Sequence, residues 1–141
     1  MQHDELLGLV QARAALPDRG RAERAARATL ETVAERVPAG LAQHLAAQLP
    51  HEIAEPMLRV SEEHAPAEGR PSGGERFDLT IFAGRVAWRG GVSEEAALQE
   101  ATAVFEVLDA ALSPELMEKL SHSLPHDIRE LLPLARAEES T

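Results

Sequence analysis

The sequence predicts an all-α protein, on three observations. The commonest residues are Ala, Leu, Glu and Arg, all strong helix formers. Aromatic residues make up only 3% of the chain and β-branched residues are sparse, so strands have little support. Apolar residues recur at helical spacing through most of its 141 residues.

The chain also matches itself. At an offset of 75, residues 22 to 55 are identical to residues 97 to 130 at 11 of 34 positions. The most specific piece is Leu-Pro-His-acid-Ile, at Leu49 to Ile53 and again at Leu124 to Ile128. Upstream, Leu6/Phe82, Val10/Val86 and Leu16/Val92 match at an offset of 76. The expected architecture is a pseudo-twofold tandem repeat of two four-helix units, about eight helices in total. Repeat one covers residues 1–60 and repeat two covers 76–134. A polar linker rich in Pro and Gly spans 61–75, and a flexible tail follows at 135–141. Each unit alone would have a thin core, so the two are expected to pack together.

Each unit starts with a short helix. Its apolar face is Leu6, Leu7 and Val10 in the first copy, and Phe82 and Val86 in the second, where Asp78 suits an N-cap. A turn follows at Leu16-Pro17-Asp18 and at Arg89 to Ser93. Ser93 precedes Glu94 and Glu95, which complement a helix N-terminus.

The second helix is the longest. Ala22, Ala26, Thr29, Val33 and Val37 form one face, repeated by Ala97, Ala101, Val104, Leu108 and Leu112. Pro38 and Ser113-Pro114 end it. Ser113 then caps the third helix, with Pro114 at its first position. That helix carries Leu41, Leu45 and Leu49, then Leu116, Leu120 and Leu124. Pro50 and Pro125 open the fourth, which buries Ile53, Met57 and Leu58, then Ile128, Leu131 and Leu132.

These residues resemble one bacterial family. The carriers are the short helix Phe82-x-x-x-Val86-Ala87, the Ala-rich helix Ala28-x-Leu30-Glu31-x-Val33 with its second copy, and the two Leu-Pro-x-acid junctions. The chain resembles the domain of unknown function 2267, an uncharacterised all-helical group common in actinobacteria. The resemblance implies a helical fold. It implies no activity, no cofactor and no catalytic residues.

The chemistry of the chain excludes several classes. Zero Cys removes disulfides, thiolate metal sites and Cys nucleophiles. A net charge of −10 argues against a phosphate-tracking nucleic-acid binder. No apolar run reaches a membrane-spanning length of roughly 18–20 residues. No leader of basic-then-apolar pattern opens the sequence, so a cytoplasmic location is expected. No Gly-x-Ser-x-Gly or phosphate loop occurs.

Candidate sites remain, each with a plain structural alternative. His51 and His126 recur beside Glu52 and Asp127; they suit a metal ligand pair, or exposed first-turn positions. Glu31 and Glu106 occupy the same helical place, either sharing a proton or lying in solvent. Arg24 and Arg27, with Arg19 and Arg21, crowd the start of the long helix. They offer a docking spot for an acidic partner, or serve solubility through pairs with Glu23 and Glu31.

Trp88, the single tryptophan, is expected to lid the core. Otherwise it is an exposed binding anchor. The function expected is a non-enzymatic interaction or self-association module, with a protein partner or a homo-oligomer and no cofactor. The alternative is a small-molecule or lipid pocket between the two repeats, lined by Leu, Val, Phe and Met57.

Overall fold

The computed structural model describes residues 1–63 and 77–133. Most of the expected linker and all of the expected tail lie outside the described residues. Eight helices are present among those described: α1 (His3–Ala14), α2 (Arg19–Arg36), α3 (Ala39–Ala47), α4 (His51–Glu63), α5 (Leu79–Gly90), α6 (Glu94–Ala111), α7 (Pro114–Ser123) and α8 (His126–Arg129).

Local chemistry sets the boundaries. The side chains of Asp78, Ser93 and Ser113 accept the N–H of Ile81, Ala96 and Leu116, capping α5, α6 and α7. Asp18 does the same for α2 by accepting from the Arg21 N–H at 2.8 Å. Helices α1 and α5 end alike. Ala15 and Gly91 adopt left-handed backbone, with φ of 53° and 66°. The next N–H groups, of Leu16 and Val92, then bond back to the carbonyls of Gln11 and Ala87. Glycine takes this conformation freely, whereas Ala15 does so at a steric cost.

The two long helices, α2 and α6, each run 18 residues and form the centre. Helix α1 lies on α2 and also on α6, while α5 lies on α6 and also on α2. The first and last parts of the chain therefore interleave around one core. Phe82 and Phe105 stack within it, with ring centroids 6.2 Å apart. Leu6, Val10, Leu30, Leu45, Ile53, Met57, Leu108, Leu120, Ile128 and Leu132 are fully buried around them. Alanines on α2 and α6, among them Ala22, Ala26, Ala97 and Ala101, are also buried and let the helices approach closely.

Polar links reinforce this packing, one of them between the two halves. Gln48, after α3, and Ser113, before α7, bond reciprocally: the Gln48 amide donates to Ser113 Oγ, and the Ser113 N–H donates to Gln48 Oε1. The Asp127 carboxylate of α8 accepts the Leu79 N–H at 2.9 Å, giving α5 a second N-terminal partner. Arg129 donates to the carbonyls of Ser121 and Leu124, closing the C-terminus of α7.

The fourth helices differ. Helix α4 has 13 residues, admits Pro56 in its interior and continues to Glu63, whereas α8 is a single turn. The fourth-helix positions Leu131 and Leu132 thus lie past the end of α8, although Leu132 is still fully buried.

Candidate functional site

A dense polar arrangement lies between α2 and the C-terminal half of α5. Glu35 is buried on α2 with a side chain only 6% exposed. Its two carboxylate oxygens take one guanidinium each. Arg85 Nη1 reaches Oε2 at 2.7 Å, and Arg89 Nη1 pairs with Oε1. Arg89 also donates to Thr32 Oγ1 at 2.8 Å, and that hydroxyl donates to the Ala28 carbonyl at 2.8 Å. Arg85 further lies over the Phe77 ring, 4.5 Å from its centroid. One buried carboxylate thereby fixes two arginines, four residues apart on one face of α5.

Outside this layer the exposed side of α2 forms the wall of a surface pocket of about 360 Å³. Gly20, Glu23, Arg24, Arg27, Ala28 and Glu31 line it from α2, and Arg89 from α5. Burial pushes the Glu31 carboxyl above its ordinary range, and the charges of Arg89, Arg27 and Arg59 pull it partly back. Arg24 is exposed and makes no hydrogen bond or ion pair with the described residues. Its guanidinium lies beside the turn after α5, 3.6 Å from where a Cβ on Gly91 would stand.

The expected core lid is overturned at Trp88. Its residue surface is 83% exposed on the outer side of α5. The physical reason is the helix register. Phe82, Val86 and Ala87 turn inward, and Arg85 and Arg89 turn to α2, which leaves position 88 facing solvent. Ile81, seven residues earlier and so on the same face, is 44% exposed. Arg24 and Arg27 thus line the pocket between α2 and the end of α5, while Trp88 lies on the outer side of α5 and is not among the lining residues.

The paired acids part company. Glu31 lines the pocket, while Glu106 on α6 takes an ion pair at 3.0 Å from Arg13 of α1. Arg21 of α2 also reaches α6, pairing with the buried Glu100 at 3.1 Å. Burial raises the Glu100 carboxyl, and Arg21 opposes that rise.

His51 and His126 stand exposed at the starts of α4 and α8. They lie next to Glu55 and Glu130, one turn on, at 3.0 and 3.5 Å. Among the described residues no group of three or more His, Asp or Glu side chains is placed to hold a metal ion. No helix among them is long and apolar enough to cross a membrane.

Arg89, Arg85, Glu35 and Thr32 escaped the sequence reading. The available signal was Arg85 and Arg89 at i,i+4 on α5 with no acid one turn away on that face.

A search of the curated proteins finds no match to this chain. Residues 3–131 match the family described as Uncharacterized conserved protein (DUF2267). That match spans nearly the whole eight-helix core, and the chain belongs to the DUF2267 family.

Proposed function

We propose that the protein is a non-enzymatic protein-interaction module that docks through the outer face of α5. The observation that carries this reading is Trp88. Phe77, Phe82 and Phe105 are all buried, and the one tryptophan is 83% exposed. A large apolar ring held on a rigid helix loses little entropy on binding and suits an anchor role. Ile81 extends the apolar surface along the same face. The buried Glu35–Arg85–Arg89 group holds α5 firmly to α2, so the face is preorganised.

We also propose that the chain is built of two related units meeting around α2 and α6. Equal lengths of α2 and α6, matching left-handed ends of α1 and α5, and the interleaved packing of α1 and α5 support it. The alternative, a ligand pocket between the units, has less support, because the side chains where α1, α2, α5 and α6 meet are buried in one continuous apolar core.

A photo-crosslinking amino acid placed at position 88 in cells tests the docking face, with position 118 as an exposed control on α7. A discrete adduct at 88 is expected, either with a second copy or with another protein. Adducts equal at both positions would overturn the reading.

A further inference from the structure

The surface pocket between α2 and α5 has a chemistry of its own. Of its seven lining residues only Gly20 and Ala28 are uncharged. Small-molecule sites are mainly apolar, so this lining favours a charged group presented by something larger. Around the pocket and the layer behind it, Arg24, Arg27, Arg85 and Arg89 face Glu23, Glu31 and Glu35. The balance is positive on a chain whose net charge is −10. The arginines are not equally committed. Arg85 and Arg89 are held by Glu35, while Arg27 lies near Glu31, and Arg24 makes no hydrogen bond or ion pair with the described residues. Guanidinium groups bind carboxylates with two parallel N–H donors, and at a partly enclosed surface such contacts are screened less than in open water.

We infer that the Arg24–Arg27–Arg89 pocket receives the carboxylates of an acidic segment of a partner protein, which rests on the interaction reading for α5 and names its partner's chemistry. Arg24 supplies the uncommitted fork at the mouth. Arg27 lies one turn along α2, so successive acidic side chains of an extended segment meet both. Arg89 is fixed by Glu35 and Thr32 and contributes a charge that does not move on binding. Trp88, exposed on the outer side of α5, offers a separate apolar contact to a partner that extends past the pocket. A nucleic acid is a poor occupant, because its phosphates would meet the repulsion of the whole acidic chain.

The test is titration of the full chain with an oligoglutamate peptide at low salt, followed by calorimetry and by the emission of Trp88, the only tryptophan. Saturable binding is expected, weakened about tenfold or more in Arg24→Gln/Arg27→Gln. It should weaken again as salt rises. Glu31→Gln, which removes a negative charge from the wall, should tighten it. Both arginines reach toward solvent, and an unchanged melting temperature would confirm that the double variant is folded.

Absence of saturable binding, or equal affinity in the double variant, would overturn the inference. So would displacement by inorganic phosphate at matched concentration, which marks a simple anion site. If the chain's own mass rises with concentration and falls in the double variant without peptide binding, the occupant is a second copy and the inference is again overturned. Crosslinking at position 88 reports separately. Adducts there without peptide binding would sink the acidic-segment inference alone, and loss of both would sink the interaction reading as well.

Discussion

Thr29 and Thr32 lie one turn apart on α2, both fully buried, and the same substitution should act on them with opposite sign. Thr29 Oγ1 has no hydrogen-bond partner among the described residues. A buried hydroxyl left unpaired costs about 1–3 kcal/mol. Valine keeps the β-branch and nearly the same volume, so helix propensity and packing change little. Thr29→Val should therefore stabilise the fold by about 1–2 kcal/mol. At this length that raises the melting temperature by roughly 3–8 °C.

Thr32 Oγ1, in contrast, donates to the Ala28 carbonyl and accepts from Arg89, both at 2.8 Å. Thr32→Val removes the charged partner's acceptor and should destabilise by about 1–3 kcal/mol. Urea denaturation at 25 °C, followed by helical circular dichroism and fitted with a common m-value, measures both. A separation of about 2–5 kcal/mol between the variants is expected. Thr29→Val less stable than the parent would refute the reasoning, since it would mean that the hydroxyl has a partner in solution. So would equal effects at the two sites.

Three further outcomes follow from the same contacts. Glu35→Gln leaves Arg85 and Arg89 without their shared counter-charge. With side chains 31% and 18% exposed, solvent screens part of the loss, and a destabilisation of about 2–3 kcal/mol is expected in the same assay; a change within experimental error would contradict the buried layer. Gly91→Ala should cost about 1–2 kcal/mol from φ alone, since among the described residues its added Cβ meets nothing closer than 3.6 Å, while Ala15→Gly should be neutral to about 1 kcal/mol stabilising. Equal losses for both would deny the left-handed cap. The raised Glu31 carboxyl binds its proton more tightly folded than unfolded, so its protonation favours folding at low pH. That contribution is lost as pH rises from the ordinary carboxyl range through the raised folded value. Glu31→Gln should flatten this fall in stability against pH, and an unchanged profile would argue against burial of the group.

Much of the helical framework was legible because its punctuation is local. Asp78, Ser93 and Ser113 act as caps within three residues of themselves, and Ser113-Pro114 marks a stop and a start together. The apolar stripes of α2 and α6 placed most of the core for the same reason. What escaped depends on partners far along the chain. Glu35 looks like any surface glutamate until α5, some 50 residues later, brings two arginines to it. Trp88 was expected inward because it follows Val86 and Ala87, yet helical rotation turns it outward. Helix α8 ends after one turn, although its apolar residues continue the pattern that α4 follows for 13. The pocket was half visible: Arg24 and Arg27 stood out in the sequence, but Arg89 and the raised carboxyl of Glu31 required the packing of α5 on α2.

The interleaving of α1 with α6 bears on how the protein is made. During synthesis α1 leaves the ribosome long before α6 exists, and Arg13 waits through 93 residues for Glu106. Until then Leu6, Leu7 and Val10 have α2 and a smaller contact with α4 to cover them, which leaves the amino-terminal helices a partial core. Contacts of such long sequence separation slow folding and expose apolar surface in the interval. The nascent chain should therefore depend on chaperones up to about the completion of α6. A swap of α1 between two unfinished chains is the failure to which this topology is most open.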